Sequence, residues 1–233
     1  MKTLGMIGGT SWHSTIDYYR LINEKVGEKI GRQSNPPLIL YSLNIALMRE
    51  GNMDLINKTY LEVAQKLEDA GAQAIIICAN TPHMVYPFVT PKLSIPILHI
   101  GDATAERAVE LNIRKLGLLG TKPTMERDFL KLHFRNNYNI DTLTPGLTAR
   151  DEIQRLISEE LTHGIFKDET KNYFIEEMEK LKLQGVEGII LGCTELPLLL
   201  KAEDFELPLL NTLQLHAEKA VQFILENEEK PED

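Results

Sequence analysis

The 233-residue chain contains 43% hydrophobic residues, which suffice for one large core or two small ones. Its formal net charge of −9, with no stripe of Lys and Arg, excludes a nucleic-acid backbone as its partner. We expect a cytoplasmic protein, because no apolar run approaches the ~20 residues of a membrane span, no signal peptide is evident, and two cysteines form no disulfide framework.

Short apolar runs alternate with amphipathic stretches along the chain. This alternation is typical of an α/β fold in which helices cover a mostly parallel sheet. The predicted strands are 3–7, 37–43, 74–78, 96–100, 116–119, 139–143, 187–191 and 208–210. The predicted helices are 14–29, 53–70, 102–112, 124–135, 149–162, 168–183 and 213–227.

The first predicted helix has both a start signal and an apolar face. Ser14, three residues before Asp17, resembles a capping box and predicts a start at residue 14. The apolar stripe that we expect to face the core consists of Ile16, Tyr19, Val26 and Ile30.

The chain contains an internal duplication. Leu4–Gly8 returns as 116–120, and 71–77 returns as 185–191. A repeat of this length is the size of a domain, far longer than a solenoid unit. We therefore predict two pseudo-symmetric α/β domains whose strand ends face a shared cleft.

The domain boundaries follow from this repeat. The first domain is predicted to comprise 1–100 and a returning C-terminal helix within 208–233. The second domain is predicted to comprise 101–207. The charged tail 226–233 is expected to fray.

Cys193 lies at a position suited to chemistry. It follows the apolar run 187–191 and Gly192, where a helix is about to begin. Ligands of open α/β sheets bind at the carboxyl ends of the strands, and a helix N-terminus favours thiolate over thiol. The pattern predicts an acid/base or nucleophilic thiol, with an inert buried cysteine as the alternative.

The second cysteine, Cys78, is one residue out of register with Cys193. The repeat pairs Cys78 with Gly192 and Ala79 with Cys193. In an extended chain, a shift of one residue turns a side chain to the opposite face. The sequence leaves open whether the Cys78 sulfur reaches the cleft as a second catalytic group or points into the core.

Short polar side chains accompany these strand ends. Their hydroxyl and amide groups, with nearby backbone N–H groups, can hold a carboxylate. Each of them alone could instead be a helix N-cap. The candidates are Thr10, Asn80, Thr81, Thr121, Thr124 and Thr194.

The histidines give weaker signals. His83 and His216 could orient a thiolate or a substrate, but a core or capping role is the expected one. No His/Cys/Asp spacing resembles a ligand set, so no metal site is predicted.

Four segments together resemble the aspartate/glutamate racemase family. They are IGGTSWHST at 7–15, NTPH at 80–83, LGT at 119–121 and GCTE at 192–195. The resemblance implies two pseudo-symmetric α/β domains with the active site between them, no pyridoxal phosphate or metal, a small amino-acid or carboxylate substrate, and a homodimer.

The resemblance also implies a mechanism. Racemisation removes a proton from one face of Cα and returns one to the other, which two opposed thiols can do. The second thiol of the family corresponds to Cys193. The first corresponds to Ala79, which cannot transfer a proton, so the partner of Cys193 is Cys78, a water or an unassigned group.

Further departures from the family concern the substrate. Arg49 is the candidate for the arginine that holds the distal carboxylate in members acting on acidic substrates. His163 stands where some members have a lysine, and Thr10 stands where relatives often have Met. These changes put specificity for aspartate or glutamate in doubt.

Three functions fit these observations. The first is a cofactor-independent amino-acid racemase or epimerase acting on Asp, Glu or another amino acid. The second is a lyase resembling the related decarboxylases, which needs only one cysteine. The third is a non-catalytic homologue that binds a carboxylate.

Overall fold

The computed structural model describes residues 1–226. The chain divides into two compact units, one formed by Met1–Ile100 with the segment from Leu213 onward, the other by Gly101–Thr212. Residues 227–233, and with them most of the tail that is expected to fray, lie outside the described residues. Among the described helices, none combines the length and the apolar character that crossing a bilayer requires.

The predicted α/β fold is confirmed, since helices flank two sheets in which every pair of neighbouring strands is parallel. The strands are β1 (Leu4–Gly8), β2 (Leu38–Ser42), β3 (Ala74–Ile77), β4 (Lys115–Gly120), β5 (Asp141–Leu143), β6 (Gly188–Gly192) and β7 (Leu209–Asn211). The α-helices are α1 (Trp12–Ile30), α2 (Ala46–Glu50), α3 (Met53–Asp69), α4 (Tyr86–Val89), α5 (Ile100–Glu110), α6 (Lys122–Glu126), α7 (Phe129–Tyr138), α8 (Leu147–Glu159), α9 (Asp168–Lys182), α10 (Leu196–Leu199) and α11 (Thr212–Leu225).

Two predicted elements differ from the structure. The segment 96–100 forms only a single parallel bridge, between Ile75 and Ile97, because α5 already begins at Ile100. The predicted helix 124–135 is two helices, α6 and α7, because Arg127 has extended backbone at φ −76° and ψ 148°. The prediction of one strand and one continuous helix at these places was wrong.

The start of α1 also differs from the prediction. Its N-cap is Ser11, whose side-chain oxygen accepts the backbone N–H of Ser14 at 3.2 Å. Ser14 is therefore inside the first turn, and its hydroxyl is used elsewhere in the fold.

The predicted apolar stripe of α1 is buried only in part: Val26 is buried and Ile30 packs against the core, but the first two residues are not buried. Ile16 and Tyr19 are 55% and 52% exposed, whereas Tyr18, Ile22 and Val26 are buried. The helix carries apolar residues on two faces, and helical periodicity cannot tell which of the two packs on the sheet.

The first unit has a three-stranded sheet of order β2-β1-β3 with a core on each side. Ala74, Ile76 and Cys78 pack with residues of α1 and α11 on one side. Ile75 and Ile77 pack with residues of α3 on the other. This alternation along β3 continues through Cys78, so its side chain belongs to a core.

Helix α11 packs within the first unit through a buried histidine. Tyr18 donates its hydroxyl hydrogen to Nδ1 of His216 at 2.7 Å. The other ring nitrogen, Nε2, then carries the hydrogen and donates it to the carbonyl of Leu98 at 2.8 Å. The expected core role of His216 is confirmed.

The second unit has a four-stranded sheet of order β5-β4-β6-β7. Gly120 and Gly192 stand opposite each other where β4 and β6 end. A Cβ atom at Gly192 would lie 2.9 Å from the carbonyl oxygen of Leu119, and one at Gly120 would lie 2.9 Å from the carbonyl oxygen of Gly192. The two glycines therefore let the ends of these strands approach closely.

Candidate active site

Cys193 is the first residue after β6 and is 8% exposed. The helix that follows it, α10, has only 4 residues, too few for the dipole effect expected from the sequence. Burial instead raises the pKa of the Cys193 thiol well above its ordinary value, and the neighbouring Glu195 carboxylate raises it further. The resting form of Cys193 is therefore the thiol, which is a proton donor.

Glu195 binds both side chains that precede it. The Cys193 sulfur donates to Oε2 of Glu195 at 2.8 Å, and the Thr194 hydroxyl donates to the same oxygen at 2.9 Å. Glu195 belongs to the GCTE motif at 192–195, and the sequence alone predicts no role for it. The available signal was an acidic side chain two residues beyond the thiol, in the turn that leaves the strand.

Thr121 and Thr124 lie at the end of the neighbouring strand, β4. Their hydroxyls share a hydrogen bond of 3.0 Å. The Thr124 methyl group would lie 3.4 Å from a Cβ atom at Gly192, so Thr124 packs against the residue that precedes Cys193. The second unit thus gathers four of the predicted residues, Cys193, Thr194, Thr121 and Thr124, at one edge of its sheet.

The donor atoms of this cluster suit proton transfer and carboxylate binding. A thiol and a carboxylate are in contact, and hydroxyl groups lie beside them. Within the part of the chain that the structure describes, Cys193 and Glu195 supply two metal-binding atoms to this edge, fewer than the three or four protein ligands of a zinc site.

The structure answers the question that the sequence left open about Cys78. Its side chain is 1% exposed and packs in the core between β3, α1 and α11. Burial raises the pKa of this thiol, so it stays protonated. The Ser14 hydroxyl donates to its carbonyl oxygen at 2.7 Å, which fixes the end of the strand. We therefore leave Cys78 out of the proposed chemistry.

The residues after Cys78 form the corresponding turn of the first unit. Ala79 is partly exposed, and its carbonyl accepts a hydrogen bond from Nδ1 of His83 at 2.9 Å. Nε2 of His83 accepts a hydrogen bond from the backbone N–H of Ile100. Because one ring nitrogen donates and the other accepts, the ring is neutral. His83 is also buried, which confirms its expected core role. Asn80 is buried, and Thr81 begins a short 3₁₀ helix.

Thr10 lies in the turn after β1. The Tyr60 hydroxyl donates to the Thr10 hydroxyl oxygen at 3.3 Å. Gly9 precedes it with φ +86°, and a Cβ atom there would lie 2.0 Å from the carbonyl oxygen of Leu43. Only glycine fits this turn, which sets the position of Thr10.

The structure does not place Arg49 or His163 against these strand ends. Arg49 is exposed on α2, and among residues 1–226 its guanidinium has no ion-pair partner. His163 is exposed in the 3₁₀ turn after α8, where Nδ1 lies 3.4 Å from the hydroxyl of its neighbour Thr162.

Comparisons with known proteins agree with the resemblance seen in the motifs. A family model described as Asp/Glu/Hydantoin racemase matches residues 7–220. A crystal structure from Yersinia pestis, provisionally described as an Asp/Glu racemase, superposes with a TM-score of 0.92 at 39% identity, covering 97% of this chain and 100% of that one. An aspartate racemase homologue from Pyrococcus horikoshii OT3 superposes with a TM-score of 0.86 at 34% identity, covering 96% and 99%.

The curated relatives are more distant. The broad specificity amino-acid racemase RacX of Bacillus subtilis is 27% identical over 128 residues, which cover 53% of this chain and 56% of that protein. A glutamate racemase of Shewanella woodyi is 25% identical over 150 residues, covering 63% and 53%. The chain thus spans about half the length of the curated relatives that it matches.

Proposed function

Because the chain belongs to the Asp/Glu/Hydantoin racemase family, we propose that it is a cofactor-independent amino-acid racemase or epimerase. The observation that carries this proposal is the Cys193 thiol at the end of β6, which is 8% exposed and in contact with a carboxylate. The hydroxyls of Thr121, Thr124 and Thr194 supply polar groups at the same edge.

The proposed reaction is proton transfer at Cα of an amino acid. The Cα–H bond is weakly acidic, so its cleavage requires a base on one face and stabilisation of the charge that moves into the substrate carboxylate. The threonine hydroxyls and neighbouring backbone N–H groups would hold that carboxylate. Cys193 would exchange a proton with one face of Cα.

The opposite face requires a group other than a thiol. Ala79 has no exchangeable proton on its side chain, and Cys78 is enclosed in a core. We propose that a water molecule or an unassigned group completes the inversion. This arrangement predicts slower inversion than exchange, because one of the two proton transfers lacks a thiol.

The substrate is proposed to be an amino acid, with acidic ones as the first candidates. Arg49 is exposed and has no ion-pair partner among the described residues, so its guanidinium is available to a distal carboxylate. The broad specificity stated for the Bacillus subtilis relative supports testing many amino acids rather than two.

The test is incubation of the protein with L-Asp, L-Glu and a panel of other amino acids in D2O. Deuterium at Cα is followed by mass spectrometry, and inversion is followed by chiral chromatography. We expect exchange together with formation of the D enantiomer for at least one amino acid. Exchange with full retention of configuration would reject a racemase for that substrate.

A second candidate, a one-thiol lyase, is favoured by the single accessible cysteine. A decarboxylase needs one acid to protonate a planar carbanion, and Cys193 alone would suffice. Release of CO2 from a substituted malonate, abolished in Cys193→Ala and retained in Cys78→Ala, would support it. Ligand-induced thermal stabilisation without any turnover would instead identify a carboxylate-binding homologue.

We also propose that the protein is a homodimer, as the resemblance implies. Light scattering coupled to size-exclusion chromatography measures the mass in solution. We expect twice the 26.4 kDa of one chain, and a mass of one chain would reject this part of the proposal.

A further inference from the structure

The contact between Cys193 and Glu195 brings the sulfur within 2.8 Å of a carboxylate oxygen. That oxygen, Oε2, also accepts the Thr194 hydroxyl at 2.9 Å. Oε2 therefore accepts two hydrogen bonds, and in the contact with Cys193 the hydrogen lies on sulfur. The Cys193 side chain is nearly enclosed, so little water competes for either group.

We propose that Glu195 is the proton partner of Cys193: it takes the thiol proton when the thiolate is needed as a base and returns it afterwards. This inference rests on the proposed function, because it assigns a role at the same site. It explains how a thiol that burial keeps protonated can still become a base.

The steps balance in protons and electrons. The S–H bond of Cys193 breaks and an O–H bond forms at Oε2, leaving thiolate beside carboxylic acid. The thiolate then takes the hydrogen from Cα; the Cα–H bond breaks, the S–H bond forms, and the electron pair stays on Cα and spreads into the substrate carboxylate. When the thiol returns a proton to Cα, Glu195 gives its own back to sulfur.

A static role for Glu195 predicts a different behaviour. A carboxylate that stayed ionised 2.8 Å from sulfur would repel the thiolate and so prevent Cys193 from acting as a base. Its removal would then make Cys193 both easier to ionise and faster in exchange. As a proton partner, Glu195 is needed for exchange although its charge disfavours the thiolate.

The test compares Glu195→Gln with wild type by two measurements on the full chain. The first is the pH profile of Cys193 alkylation by iodoacetamide, located by peptide mass spectrometry. The second is Cα deuterium exchange with the amino acid on which the wild type is fastest. We expect the alkylation midpoint to fall by about 1 pH unit or more, because a like charge is removed, while exchange falls about 100-fold.

Two further variants keep the test specific. Glu195→Asp retains a carboxylate on a shorter side chain and should recover part of the lost exchange, to about 10-fold below wild type. Glu203→Gln removes an exposed glutamate of the same unit and should leave both measurements unchanged. Circular dichroism and thermal melting confirm that each variant is folded.

Faster exchange in Glu195→Gln, or exchange within about threefold of wild type, would overturn the inference. An unchanged alkylation profile would overturn it as well. Absence of Cα exchange in the wild type for every amino acid would instead count against the proposed function, and the alkylation profile would still decide whether Glu195 and Cys193 act as a pair.

Discussion

The ends of β3 and β6 show how one residue separates a core position from a reactive one. Both strands are parallel neighbours of the strand that opens the corresponding repeat, β1 and β4. In the first unit, the residue after the last paired position is Cys78, which continues the alternation of β3 into the core. In the second unit, the residue that the repeat matches to Cys78 is Gly192, which is still paired with Gly120, and Cys193 follows it.

Gly192 explains why the second unit cannot have a cysteine at the position that the repeat matches to Cys78. A Cβ atom at Gly192 would approach both the Leu119 carbonyl oxygen and the Leu118 side chain to about 3 Å. The first unit accepts a side chain at the matching place because Cys78 points between α1 and α11. The cysteine is therefore displaced by one residue, from a position that is 1% exposed to one that is 8% exposed and still packs against the core of its unit. Two cysteines at matched strand ends need not do matched chemistry.

The largest expected effect is that of removing Cys193. Cys193→Ala should lower Cα exchange by about 1000-fold or more, since the group that exchanges the proton is lost. Exchange is measured by mass spectrometry in D2O. Retention of more than about a tenth of the wild-type rate would show that another group transfers the proton.

The next prediction adds a thiol where the first unit lacks one. Ala79→Cys places a sulfur at the partly exposed position that the repeat matches to Cys193. We expect the ratio of inversion to exchange to rise about 10-fold, because the family resemblance implies a second acid/base group at this position. Ala79→Ser, similar in size but a much weaker acid, is the control. No gain in the ratio would mean that residue 79 does not face the substrate.

A smaller effect is expected from the core cysteine. Cys78→Ala should leave exchange within about twofold of wild type and lower the free energy of unfolding at pH 7 by about 1 kcal/mol, because buried volume is lost. Urea denaturation and the exchange assay measure the two quantities on the same preparation. A loss of exchange in a folded Cys78→Ala variant would return Cys78 to the site.

The buried thiol also predicts a pH dependence of that difference in stability, with no effect on exchange. Burial raises the pKa of Cys78 in the folded state, so only the unfolded chain ionises this thiol above about pH 8.5. The stabilisation is fully present below that pH and is lost as the pH rises above it. The free energy of unfolding of the wild type relative to Cys78→Ala should therefore fall by about 1.4 kcal/mol between pH 7 and pH 9.5, so that the variant becomes slightly the more stable of the two. A constant gap from pH 7 to 9.5 would show that the Cys78 thiol is not selectively protonated in the fold.

Much of the fold is predictable from periodicity, as β1 and β4, the first strands of the two repeats, show. Their apolar runs are short and bounded by glycine, and both strands lie within two residues of the predicted bounds. The shift of register between Cys78 and Cys193 was also visible in the repeat, because alternation along a strand is a strict geometric rule.

Other features depend on tertiary contacts that the sequence does not display. The exposure of Ile16 and Tyr19 depends on which apolar face of α1 packs on the sheet. The contact of Glu195 with Cys193 depends on the turn between β6 and α10, and the expected dipole effect at Cys193 is missing because α10 is so short. The sequence pattern shows which residues are polar or apolar, whereas the geometry of the turns determines which of their side chains come into contact.

The most direct measurement of the difference between the two strand ends is alkylation of the native protein with a small thiol reagent. Modification of each cysteine is quantified by peptide mass spectrometry while Cα exchange is followed in parallel. We predict that Cys193 is modified, that substrate slows its modification, and that activity falls in proportion, while Cys78 reacts only after denaturation. Loss of activity in step with modification of Cys78, or full activity in protein whose Cys193 is completely modified, would contradict the assignment.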